Sequence, residues 1–184
     1  PESLQKAMRS LEQGRYGLNC DPAEGQYDEV PLDELLARAS IATPDRLFEL
    51  EAVLRRGLSI EQVHDATKVD PWFLDQIMAI IEERAHLAEI GLPGMTRRQW
   101  RRAKRLGFAD AQLAWLWDVP EAEVRAARIA EGVIPTFKTV DTCGAEFAAE
   151  TPYHYSTYED EDEVRESDRQ KVMILGSGPN RIGQ

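Results

Sequence analysis

The stretch from Asp70 to Gly91, DPWFLDQIMAIIEERAHLAEIG, decides the fold class. Asp70 can cap a first turn, Pro71 has its φ preset for the first helical position, and Gly91 can close a helix in the left-handed conformation. Between them Trp72, Leu74, Ile77, Ile80, Ile81, Leu87 and Ile90 recur at helical spacing. The spacing predicts one long helix from about Trp72 to Ile90 with those residues in its core, and places the chain in the mainly α class.

Upstream, Ser59 caps a short helix, and Thr43 with Pro44 supplies an N-cap and first-turn proline for a helix closed by Gly57. Leu47, Leu50, Val53 and Leu54 give that helix a buried face, Leu32, Leu35, Leu36 and Ala39 mark another, and Leu4, Ala7, Met8 and Leu11 a short amphipathic one from Glu2 to Gln13. The aperiodic segment between Gly14 and Pro31 reads as a connecting loop. Downstream, Thr96 caps a helix stopped by Gly107, and Asp110 and Pro120 open two more, the last ending at Gly132. No strand is expected before Gly132. Beyond it FKTV, TPYHYSTY and KVMIL are β-rich, with the acidic run Glu159 to Glu163 between the last two.

Two segments, RGLSIEQVHDATKVDP from Arg56 and LGFADAQLAWLWDVP from Leu106, align at an offset of 50 residues. Gly57 meets Gly107, Gln62 meets Gln112, Val63 meets Leu113 and Val69 meets Val119. Either a helix–turn–helix unit is present twice, or two unrelated helical hairpins share their cap chemistry.

At 184 residues the chain can bury one ordinary core, and 42% hydrophobic with 30% charged residues excludes wholesale disorder. No apolar run approaches a membrane span, and a net charge of -11 disfavours nonspecific nucleic-acid or anionic-membrane binding. Cys20 and Cys143 belong to no ligand cluster, which points to reduced thiols and a cytoplasmic location. His64, His86 and His154 lack metal-ligand neighbours, so no metal site is expected. VDTCGAEF reads as packing, with Thr142 capping a short helix, and Glu82 and Glu83 as the polar side of a helix. Pro1 is no initiator Met, and ILGSGPNRIGQ stops where a glycine loop should lead into its helix, so an excerpt of a longer chain is expected.

Three patterns could carry function. A strand from Lys171 runs into Gly176, Gly178, Pro179, Asn180, Arg181 and Gly183. Such a loop is either an anion cradle, its N–H groups facing a phosphate, or a tight structural turn, since Ile182 breaks the dinucleotide pattern and the P-loop Lys-Ser/Thr is missing. The helix RRQWRRAKR carries Arg97, Arg98, Arg101, Arg102, Lys104 and Arg105, the raw material of a nucleic-acid face. Against a helix-turn-helix DNA-binding module stand the carboxylates and apolar residues where recognition helices would open, so a solvated or interface face is expected. Trp100, Trp115, Leu116 and Trp117 form the candidate association surface, their alternative being burial within one monomer.

ESLQKAMRSLEQG, TVDTCGAEFAAETPYHYSTYEDE and KVMILGSGPNRIGQ, in that order, resemble the large subunit of glutamine-hydrolysing carbamoyl-phosphate synthetase. Ser177 departs from the family's GGGPNRIG and His154 from its YMYSTY. The resemblance implies residues 1–16 as the terminal helix of a preceding ATP-grasp unit, 17–158 as a helical oligomerisation domain of two helix-turn-helix-like units with an extended C-terminal segment, 159–170 as an acidic linker, and 171–184 as the first strand and glycine loop of an α/β carbamoyl-phosphate synthetic unit. It implies a catalytically silent spacer and oligomerisation domain, with no catalytic residue and no cofactor in the excerpt. The parent enzyme would be an ATP-dependent ligase using ATP with Mg²⁺ or Mn²⁺ to make carbamoyl phosphate from bicarbonate, glutamine-derived ammonia and two ATP, for arginine and pyrimidine biosynthesis. The implied partners are the two flanking synthetase halves, a glutaminase small subunit and further copies of the chain.

Overall fold

The computed structural model describes residues 1–11, 13–150, 153–165 and 167–173. Among them are eight α-helices: α1 (Glu2–Ser10), α2 (Leu32–Ala39), α3 (Arg46–Arg55), α4 (Ile60–Thr67), α5 (Pro71–Ile90), α6 (Arg97–Arg105), α7 (Asp110–Trp117) and α8 (Glu121–Ala130). An antiparallel ribbon of β1 (Thr136–Thr139) and β2 (His154–Thr157) follows, in the register Thr136↔Thr157 to Thr139↔His154. The mainly helical class is borne out. No helix among the described residues is long and apolar enough to cross a membrane.

Helix boundaries follow the predicted caps with two exceptions, the first being α1, which ends at Ser10 and not at the expected Gln13. Ser59 and Thr96 each bond the backbone N–H three residues on, Gln62 and Gln99 return the bond, and the Asp70 carboxylate accepts from Trp72 N–H at 2.8 Å. Thr43 and Pro44 do not cap α3. Its cap position is Asp45, and Thr43 instead contributes its carbonyl to a turn that accepts from Arg46 N–H.

The 50-residue repeat is real in three dimensions. After α3, Leu58 N–H reaches back to Val53 O at 3.1 Å and Gly57 N–H to Leu54 O at 3.0 Å. After α6, Phe108 reaches Ala103 O at 3.1 Å and Gly107 reaches Lys104 O at 3.0 Å. This paired closure leaves few helix-end carbonyls without a donor. α4 and α7 both end on a left-handed residue, Lys68 and Asp118, and Val63 and Leu113 are both fully buried. Each unit presents its apolar face to its neighbours, so the two close over one core rather than two.

The core runs from Met8 and Leu18 through Leu50, Val53, Leu74, Ile80 and Leu87 to Trp100, Phe108, Leu113 and Val124. The supposed connecting loop contributes to it. Leu18, Asn19, Cys20 and Asp21 are buried, because Cys20 N–H donates to Glu24 Oε2 at 2.8 Å and Asn19 Nδ2 to Glu51 Oε1 at 3.3 Å. Arg15 bonds Asp21 at 2.7 Å and lies over the Phe48 ring at 3.8 Å. Side chains thus satisfy a backbone that has no ladder of its own.

Several expectations are corrected. Trp72 is 62% exposed and not core, since two residues at about 100° each turn it to the side opposite Leu74. Glu83 does not face solvent: it is 1% exposed and receives Arg102 Nε at 2.6 Å. No helix forms at Thr142, where the Asp141 carboxylate binds Cys143 and Ala145 N–H in a tight turn. Lys171, Val172 and Met173 adopt no regular structure, and the remainder of KVMIL lies outside the described residues.

Candidate functional site

Helices α5, α6 and α7 carry the four tryptophans, and α6 the arginines singled out in the sequence. Trp100 projects inward from α6 because Thr96 fixes the start of that helix and Ala103, one turn on, shares its buried side. At 1% exposure it is a core residue and offers nothing to a partner, which removes it from the association candidates. Its ring meets Trp117 edge to face at 5.8 Å, and Trp117 Nε1 donates to Leu87 O at 2.8 Å, riveting α7 to α5. Leu116 and Trp117 are half-buried, while Trp115 is 39% exposed on the outer side of α7. Of the predicted four, Trp115 alone is a sizeable surface group.

Sequence reading missed the larger aromatic surface. Trp72 and Phe73 stand 62% and 58% exposed on the first turn of α5, their rings edge to face at 5.0 Å. The helical wheel held the signal for Trp72; the exposure of Phe73 depends on which helices reach that end of α5.

A buried ion cluster joins α6, α7 and α8. Asp110 accepts two parallel bonds from Arg128, Nε to Oδ1 at 3.0 Å and Nη2 to Oδ2 at 2.7 Å, and a third from Lys104 Nζ at 2.9 Å. Arg128 also donates to Val133 O at 2.6 Å, and the Tyr158 ring covers Lys104 and Arg128 at 5.1 and 5.6 Å. Burial alone would raise the Asp110 carboxyl, but the Arg128 bonds and the Lys104 charge hold it below its ordinary range. Burial lowers the Lys104 amine to about 8, against the pull of Asp110. The cluster welds α6, α7 and α8 to the strand arm.

A second polar clasp fixes the N-terminal helix. Gln112 Nε2 donates to Gln5 Oε1 at 2.8 Å and to Asn19 O at 2.8 Å, and Gln5 Nε2 to Leu106 O at 3.0 Å. Both glutamines are fully buried, so α1, the early loop and α7 are locked as one body. The family-like ESLQKA segment therefore packs on the helical unit.

Outside these clasps, the basic helix forms one wall of a groove of about 800 Å³ against α5, lined by Arg97, Arg98, Arg101, Arg102, Arg105 and Glu82. Arg101 pairs with Asp160 and Arg102 with Glu83. Arg97, Arg98 and Arg105 have no ion pair among the described residues. Lys104 departs from the expected solvated face, being buried on Asp110. The candidate glycine loop, Gly176, Gly178, Pro179, Asn180, Arg181 and Gly183, lies outside the described residues. Among the described residues no group of three or more His, Cys, Asp or Glu could hold a metal ion.

The comparisons agree with this architecture. Residues 1–132, the helical body, match the family described as the carbamoyl-phosphate synthetase large chain, oligomerisation domain. Similar proteins named carbamoyl phosphate synthase large chain occur in Archaeoglobus fulgidus, 46% identical over 187 residues, in Nostoc sp., 49% over 185, and in Deinococcus deserti, 49% over 184. Each alignment covers 100% of this chain but only 16–17% of the relative. Nothing in the fold or the matches supports a DNA-binding module. The chain belongs to the carbamoyl-phosphate synthetase large-chain oligomerisation-domain family.

Proposed function

We propose that these residues act as the spacer and self-association domain of a longer carbamoyl-phosphate synthetase chain and carry out no chemistry themselves. The observation that carries this reading is the coincidence of the family match over 1–132 with the closed helical core. The buried ionic groups point the same way, because Asp110, Lys104 and Arg128 are engaged with one another in holding helices together. A rigid body of this kind sets the separation of whatever is attached at its two ends. The parent enzyme, on this reading, is an ATP-dependent ligase in arginine and pyrimidine biosynthesis. It uses ATP and Mg²⁺ or Mn²⁺ to join bicarbonate with ammonia delivered from a glutaminase small subunit. Its second synthetase unit would begin at 171–184, with the Gly176 to Gly183 loop facing an anion.

The test is the mass of the 20.8 kDa chain by light scattering over a wide concentration range, with ATP turnover assayed on the same sample. The expected result is a concentration-dependent rise to dimer or higher without bicarbonate-dependent ATP hydrolysis. A monomer throughout would overturn self-association and leave a spacer; ATP hydrolysis would overturn the non-catalytic assignment.

A further inference from the structure

In a chain of net charge -11, five arginines on one groove are an anomaly. Like charges repel at such spacing, and the groove has neither aromatic side chains to stack a base nor more than Ala79 and Leu106 as apolar lining. It is built for carboxylates or phosphates without a hydrophobic body. The anion it already receives is a carboxylate, Asp160, which belongs to the acidic run Glu159–Glu163 and bonds Arg101. That bond, with the charges of Arg105 and Arg97, keeps the Asp160 carboxyl below its usual range, so the arginine field reaches the acidic run. Glu161 and Asp162, next along, are exposed and have no ion pair among the described residues. Ile134, 60% exposed, lies in the seam between the two, in a cavity shared by Arg97, Arg101, Glu159 and Asp160.

A positive patch abutting a negative one of the same surface is self-complementary under a two-fold axis, the requirement of an isologous contact. We propose that the α6 arginine face and the acidic run Glu159–Glu163 together form a dimerisation surface, the arginines of each copy receiving Glu161 and Asp162 of the other around Ile134. This locates the surface for the self-association proposed above and rests on that reading. About 12 Å of helix separates Arg97 from Arg105, room for the successive residues Glu161 and Asp162 on an extended segment rising about 3.4 Å per residue. Phosphate ligands are the competing occupants of the same groove.

The experiment uses the full 184-residue chain and two charge-reversed variants, R98E/R105E and E161K/D162K, which leave the Arg101–Asp160 pair intact. Light scattering is run at about 0.01 M and about 1 M salt, where the screening length falls from about 30 to about 3 Å. Either variant alone should weaken association at least about tenfold, and mixing the two should restore a heterodimer. Salt should weaken the unmodified pair as well, and near-UV circular dichroism should be unchanged in all samples. Association that neither salt nor the reversals disturb would overturn this surface while leaving self-association standing. A monomer at every concentration and salt would overturn both. Pyrophosphate or duplex DNA binding that requires Arg98 and Arg105, with no rescue in the mixed variants, would reassign the groove to a phosphate ligand.

Discussion

Gly57 and Gly107 occupy equivalent points of the two repeats, with φ of +102° and +89°, yet their surroundings differ. A Cβ at Gly57 would meet nothing within 4 Å, whereas one at Gly107 would stand 2.9 Å from both Glu2 Cα and Gln5 Cβ. Each position needs the left-handed region, which costs a side-chain-bearing residue about 1–2 kcal/mol. Only Gly107 adds overpacking against the backbone of α1, about 1–3 kcal/mol more. Gly57→Ala should therefore lower stability by about 1 kcal/mol and Gly107→Ala by about twice that or more, read from urea midpoints at constant m-value. Equal losses would show that α1 is not docked as described. The tryptophans divide in the same way. Trp100→Ala empties a core site and should cost about 3–5 kcal/mol, while Trp72→Ala, exposed on the first turn of α5, should stay within about 0.5 kcal/mol.

At the scale of elements, the Asp110 cluster joins α6, α7 and α8 and turns their junction into a pH-sensitive joint. Asp110→Asn would leave Arg128 and Lys104 buried against a neutral group, an expected loss of about 3–5 kcal/mol at neutral pH. Because the folded carboxyl titrates below its unfolded value, its stabilisation is present above about pH 4 and is lost as pH falls through the folded pKa. Lys104 works in the opposite direction. Its folded amine gives up a proton near pH 8, the unfolded one only near about 10.4. Across that window the unfolded chain binds more protons, so stability should rise with pH. Lys104→Met should abolish that rise and be nearly neutral at pH 7, since Arg128 still satisfies Asp110. Chemical denaturation at pH 7, 8, 9 and 10 reads both effects; a slope that survives in Lys104→Met would assign the titration elsewhere.

Across the whole molecule, the helical body and the strand arm should separate in hydrogen exchange. α5 is contacted by α3 and α4 and carries Leu74, Ile77, Ile80 and Leu87 in the core, so its amides should open only with global unfolding. β1 and β2 make an isolated two-stranded ribbon, marginal by itself, tied down by Tyr158, by Thr157 Oγ1 on Glu2 at 3.1 Å and by Glu163 on Thr139 N–H at 2.7 Å. Their amides should exchange early, and Tyr158→Ala should release them further without changing the exchange of α5. Equal protection of ribbon and α5 would mean one cooperative unit. Most helix boundaries were legible in the chain because caps, glycine stops and 3.6-residue periodicity are local, and the family resemblance because its motifs are contiguous in sequence. The amino-acid sequence by itself determined a mainly helical body and carried the family resemblance in three contiguous motifs, while the likeness of the two aligned units was decided by the matching closures after α3 and α6. Only the tertiary structure decided that Trp100 is core and Trp72 surface, that the segment around Leu18 and Cys20 is buried, and that Asp110 meets Arg128 and Asp160 meets Arg101. Those outcomes depend on which elements happen to cover a given helix face, and a pairing between residues 18 or 59 positions apart leaves no trace in local periodicity.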